Sequence, residues 1–153
     1  MANSVCEVSI TKSPLDLPAR EHQAGSGAIV DFWGAVRALE DGREITGIDY
    51  EAHAPMAEHQ MRSLAETAIG NFGLTKVIIR HRIGFVPVTE GSIVVRVEGS
   101  HRSAAFSASQ WIMDELKRTV PIWKHPVFKD KSASGANAGK EAQERSRSSC
   151  ARL

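Results

Sequence analysis

The chain has 153 residues, 42% of them hydrophobic and 24% charged, with a formal net charge of +1. That balance fits one domain with a real core, and it excludes the global field that draws a protein to nucleic acid or an anionic membrane. Cys6 and Cys150 lack CxxC spacing, no apolar run approaches a membrane span, and residues 1–20 hold no signal-peptide core, so a reducing, cytoplasmic setting is expected.

Val5 to Thr11 alternates apolar and polar residues and predicts a strand at a sheet edge. Pro14 begins a short turn or helix, and residues 21–27 form a polar connection. Residues 27–33 (G-A-I-V-D-F-W) carry high β-propensity and predict a second strand. A turn signal at residues 40–43 (E-D-G-R) separates it from a third strand, residues 45–51, and these two strands are expected to form a hairpin. Arg37 then stands at the exit of a strand, where an arginine beside an acidic loop is most often simply solvated.

His53-Ala54-Pro55-Met56 opens the first long helix, with Pro55 near its first turn. Met61, Leu64, Ala65, Ala68 and Ile69 form its apolar stripe, and Gly70 and Gly73 end it. His53, Glu58, His59 and Glu66 match no metal-binding spacing and read as a solvated face. Residues 76–83 predict a fourth strand, residues 84–88 a proline-containing bend, and residues 93–99 a fifth strand after a turn at Glu90-Gly91. His81 and Arg82 are neighbours in a strand, so their side chains take opposite faces, and a structural role is expected for both.

The stretch from Ser100 to Lys124 reads as one unit. After a polar corner the period becomes helical, with Phe106, Met113 and Leu116 on a stripe extended by Ala105, Ala108 and Ile112. Ser103 is placed to cap this helix, and Pro121 ends it by biasing Val120 out of the helical region. His101 and Arg102 precede the helix N-terminus, where free N–H groups already favour an anion. Lys117 falls in the last turn, where a lysine commonly complements the dipole. Lys124 follows seven residues later, beyond the break. Trp111 and Trp123 offer flat apolar surface near these cations, although core packing is the commoner use of a tryptophan. Residues 130–153 are rich in Ser, Ala, Gly, Lys, Glu and Arg without any aromatic residue, and are expected to be a disordered tail or a frayed helix around residues 139–147.

The order of elements predicts an α+β fold, with two main helices packed on antiparallel strands. No phosphate-binding glycine loop and no nucleophile motif is present. The residues therefore support a local cationic constellation of Arg37, His101, Arg102, Lys117 and Lys124. Arginine supplies a rigid fork for phosphate or carboxylate, and lysine a point charge that can move protons. An anionic, partly planar ligand fits such a set. A docking domain without catalysis, and an acyl or phosphoryl transferase with a lysine base, are the other readings; the second lacks any phosphate loop.

Five segments, in order, resemble the large catalytic subunit of molybdopterin synthase: G-A-I-V-D-F-W-G-A-V-R, Y-E-A-H-A-P-M-A, H-R-I-G, S-H-R-S-A-A-F and D-E-L-K-R-T-V-P-I-W-K. The resemblance spans roughly residues 14–129, and with it a domain over 1–129 followed by the tail. It implies an α/β-hammerhead-like core with an added antiparallel sheet. It implies an enzyme that transfers sulfur from the C-terminal thiocarboxylate of a small ubiquitin-like partner to cyclic pyranopterin monophosphate. The product is the dithiolene of molybdopterin, and neither metal nor cofactor is needed. It further implies a dimer of this chain within a heterotetramer. Carried over residue by residue, Lys117 and Lys124 are the expected catalytic lysines. Arg37, His101 and Arg102, together with Lys117, Lys124 and His125, are the expected substrate-binding set. The chain departs from the family pattern at His53, where tyrosine is usual, at His125-Pro126, where a basic-acidic pair is usual, and in a tail without the tryptophan-containing C-terminal segment.

Overall fold

The structure, a computed structural model, describes residues 3–19, 21–129 and 151–152. Strands β5 (Leu74–Arg82) and β7 (Gly91–Gly99) run through its middle, β7 buried from Ser92 to Gly99. Runs of Val and Ile with so little alternation mark strands covered on both faces. They lie in a four-stranded sheet of order β1-β5-β7-β2, with β1 (Val5–Thr11) and β2 (Ala28–Ala35) at the edges. The expected edge position of β1 holds, but β1 pairs parallel to β5, so the sheet is mixed. A parallel neighbour needs a crossover, which the long segment between β1 and β5 supplies.

Helices α1 (Ala54–Phe72) and α2 (Arg102–Thr119) cover one face of this sheet. Met61, Leu64 and Ala65 of α1, and Ala105, Ala108 and Ile112 of α2, join Val77, Ile79, Val95 and Val97 in a single core. Gly73 ends α1 in the left-handed conformation, with φ of 64°, so Gly70 stays inside the helix. His101 rather than Ser103 occupies the cap position of α2 and makes no side-chain capping bond. Phe106 is 63% exposed and leaves the expected stripe. It sits 100° around the helix from Ala105, and the buried line runs through Ala105, Ala108, Ser109, Ile112 and Leu116.

Ile78 and Val94 are fully buried on the opposite face by the alternation of their strands. The irregular segment between β1 and β2 is pinned there. Arg80 donates to the carbonyl and carboxylate of Asp16, Arg96 to the Pro18 carbonyl, and Lys76 to the Glu21 carbonyl. Glu98 accepts from His22 at 2.9 Å and Ser26 at 3.0 Å.

The second sheet holds β3 (Leu39–Glu40), β4 (Arg43–Ala52), β8 (Ile122–Phe128) and β9 (Ala151–Arg152), and β6 (Gly84–Pro87) also pairs with β4. The expected hairpin between the second and third strands is therefore corrected. β2 pairs with β7, while β4 pairs with β3, β6 and β8. The turn signal at residues 40–43 was sound, since Asp41 and Gly42 both have positive φ, at 50° and 72°. That is the geometry of a two-residue hairpin turn, and it joins β4 to the two-residue β3 instead of to β2. The bend expected at residues 84–88 holds a short strand, β6. Strand β8 was not foreseen, because Pro121 and Pro126 mask its pattern. The pairing of Ala151 and Arg152 with Lys124 and Trp123 was not foreseen either. The rest of the expected disordered tail, residues 130–150 and 153, lies outside the described residues.

Candidate anion-binding active site

A cleft of about 180 Å³ opens where the end of β2, the strands β3 and β4, the last turn of α2 and the start of β8 converge. Three cations line it. Arg37 follows β2, Lys117 ends α2, and Lys124 comes from β8. Local backbone chemistry explains why the two lysines meet. Val120 is extended, its N–H bonding back to the Leu116 carbonyl, and Pro121 prevents another helical turn. The Ile122 N–H then bonds the Val120 carbonyl at 2.9 Å, and β8 pairs antiparallel with β4, setting Lys124 opposite Tyr50. The chain thus doubles back and carries Lys124 to the same cleft as Lys117.

The apolar wall is Phe32, Ile48, Ile93, Met113 and Leu116. The floor is polar and neutral. The Tyr50 hydroxyl bonds to Ser92, and the Ser92 hydroxyl donates to the Gly34 carbonyl at 3.2 Å. Burial raises the Tyr50 pKa, against the Ser92 bond and the nearby Lys124 charge, so the phenol stays protonated. His81 packs edge-on against Tyr50, ring centroids 5.3 Å apart. Its Nδ1–H donates to the Arg82 carbonyl at 2.8 Å, so at neutral pH Nε2 is the unprotonated nitrogen. Burial pushes the His81 pKa down to about 4, the Arg82 bond opposing only partly. Among the described residues one carboxylate enters the cleft: Glu40 Oε1 lies 2.5 Å from Lys124 Nζ.

Of the residues singled out from the sequence, the cleft brings together Arg37, Lys117 and Lys124. His101 and Arg102 do not reach it. They are exposed at the far end of α2, about 22 Å along the helix axis from Lys117 at 1.5 Å per residue. His125, also expected to bind substrate, lies outside the cleft within one copy. Neighbours on a strand point to opposite faces, and its ring turns to Glu51, at 3.1 Å, while Lys124 turns to the cleft. Tyr50, His81, Ser92 and Glu40 were missed as site residues. His81 carried a weak signal, an imidazole inside an otherwise apolar strand, but Glu40 becomes visible only once the fold brings its carboxylate to Lys124.

The scaffold is a mixed-sheet α+β fold, and its cleft joins a cationic mouth, an apolar wall and an uncharged hydrogen-bonding floor, a combination suited to a small anion with a flat body. The chain belongs to the MoaE protein family, which it matches over residues 10–119. It is 39% identical over 135 residues to the molybdopterin synthase catalytic subunit of Thermoplasma volcanium, covering 88% of this chain and 98% of that protein. Among solved structures it resembles molybdopterin synthase from Staphylococcus aureus, with a TM-score of 0.74, 28% identity, and coverage of 80% of this chain and 91% of that one. It shares its fold with a complex of subunits 1 and 2 of molybdopterin-converting factor from Helicobacter pylori, at a TM-score of 0.63 and 19% identity, covering 89% and 97% of the two chains.

Proposed function

We propose that this chain is the catalytic subunit of a molybdopterin synthase, a sulfurtransferase of molybdenum cofactor biosynthesis. It transfers sulfur from the C-terminal thiocarboxylate of a small ubiquitin-like subunit to cyclic pyranopterin monophosphate, forming the dithiolene of molybdopterin. The observation that carries this reading is the convergence of Arg37, Lys117 and Lys124 in one cleft, on a chain whose relatives bear that enzyme's name.

The cleft's chemistry suits the task. Arg37 offers a guanidinium fork to a phosphate, and Lys124 offers a second charge. Lys117, in the last turn of α2, lies where a docked carboxyl-terminal tail would exclude water. There it stabilises the negative charge that develops as sulfur adds, and it supplies or accepts the proton. The pterin is substrate and the sulfur comes with the partner, so no resident cofactor or metal has a part. His101 and Arg102, held too far from Lys117 within one copy, bind substrate from a second copy in a dimer. Two small subunits complete the heterotetramer, which works in the cytoplasm.

The test is reconstitution. The purified chain, cyclic pyranopterin monophosphate and a thiocarboxylated ubiquitin-like partner are mixed, and molybdopterin is measured as its fluorescent oxidation product. Lys117→Ala is expected to lower turnover by roughly 10²–10⁴-fold while leaving partner binding intact. Near-normal turnover in that variant refutes the assignment, and tight partner binding without product from the wild type favours a docking module.

A further inference from the structure

Among the described residues, Glu40 is the one anion in a cleft otherwise lined by cations and neutral groups. Its side chain is only 15% exposed and that of Lys124 25%, so the contact between them is well shielded from water. The element that carries Glu40 is slight. β3 has two residues, joined to β4 by the exposed Asp41-Gly42 turn, and only Leu39 and Glu40 are in register with Glu44 and Arg43. A carboxylate on such a hairpin can leave its partner by turning its own side chain, because β3 holds no buried residue.

The cleft volume also bears on this. About 180 Å³ is less than the roughly 300–1,000 Å³ usual for a small-molecule site, so a ligand with a phosphate and a ring system needs room that the present arrangement withholds. Moving the Glu40 side chain aside frees both space and the Lys124 amine. We propose that the Glu40 carboxylate is a built-in occupant of the anion position on Lys124, and that a phosphate or carboxylate of the ligand binds Lys124 by displacing it. Glu40 is then a positioning residue that holds Lys124 in place until the anion arrives and sets the affinity for it. Two anions drawn to one ammonium repel each other, so Glu40 and a ligand anion compete for Lys124. The identity of the reaction rests on the sulfur-transfer reading above; the competition for Lys124 does not.

The experiment separates the two. Binding of inorganic phosphate to the full chain is measured by calorimetry for wild type, Glu40→Gln, Glu40→Ala and the double variant Glu40→Gln with Lys124→Ala. Both single variants are expected to bind phosphate about three- to tenfold tighter, the scale of one partly shielded ion pair, and the double variant to lose that gain. In the reconstituted synthase, KM for the pterin substrate is expected to fall in Glu40→Gln by a similar factor. In the wild type, saturating phosphate is expected to shift the amide resonances of Asp41 and Gly42, reporting release of the hairpin without any substitution. Unchanged or weaker phosphate binding in both single variants, or turn resonances that do not move, overturns the proposal even when the wild type makes product. Tighter phosphate binding with no product from any variant leaves the competition standing and rejects the sulfur-transfer reading instead.

Discussion

His81 gives the cleft floor an acid limit whose size follows from its burial. The imidazole is 1% exposed and held neutral, its pKa pushed down to about 4 from an ordinary 6.5. Below pH 6.5 the unfolded chain binds a proton at this histidine, whereas the folded chain does not until about pH 4. The unfolded state therefore holds more protons across that window, and stability falls as the pH drops through it. Linkage with these two values gives a loss of about 2 kcal/mol at pH 5 relative to pH 7.5, and about 3 kcal/mol once the pH is below 4. The groups facing the ring are Tyr50, which stays protonated throughout, and the Arg82 carbonyl, which does not titrate. Urea unfolding of the wild type and of His81→Asn at both pH values isolates the term, because the asparagine amide can still donate toward the Arg82 carbonyl. The wild type is expected to lose about 2 kcal/mol more than the variant on going to pH 5. Equal losses refute the claim that burial keeps this imidazole uncharged.

Met61 is fully buried on the sheet-facing side of α1, and Met61→Ala is expected to destabilise the chain by about 2–5 kcal/mol in chemical denaturation. A loss under about 1 kcal/mol would mean that the helix–sheet interface closes over the gap. A Cβ at position 47 would lie 2.5 Å from the Val86 carbonyl oxygen and 2.5 Å from the Phe85 ring. Gly47→Ala is therefore expected to push β6 off β4 and to cost about 1–3 kcal/mol, read as a lower melting temperature. An unchanged melting temperature refutes the close approach of these two strands.

The periodic elements were legible in the sequence and their partners were not. The stripe of α1 is present because i, i+3, i+4 spacing is a local property, and so is the stop at Pro121. Which strand β2 pairs with is a non-local matter. Residues 27–33 and 45–51 look like a hairpin because a turn signal separates them, but Leu39 and Glu40 use that turn, and Gly34-Ala35 break the register of β2 just before it. Strand β8 hid behind two prolines. Pro126 nevertheless pairs with Ile48 in the second sheet. The site divides in the same way. Arg37, Lys117 and Lys124 stood out as cations at element ends. Tyr50, His81 and Ser92 looked like ordinary strand residues, since nothing local says that two different sheets will close a floor from them. His125 was drawn in by adjacency to Lys124, although strand alternation sends it to the other face.

The position of the cleft also explains its charge. It lies at the C-terminal end of α2, where exposed carbonyls and the macrodipole repel an anion. An anion site there has to be built from side chains, and three cations from three different elements supply it, with Lys117 directly offsetting the helix end. The other end of α2 is the reverse case. Free N–H groups favour an anion at His101 and Arg102, but neither residue lines the cleft within one copy. Each end thus has what the other lacks: one has walls and a floor, the other a favourable dipole and two more cationic or hydrogen-bonding side chains. In the proposed dimer, a second copy that brought the N-terminal end of its α2 against the cleft would join the two, and the dimer would then be part of the active site and not only a means of assembly.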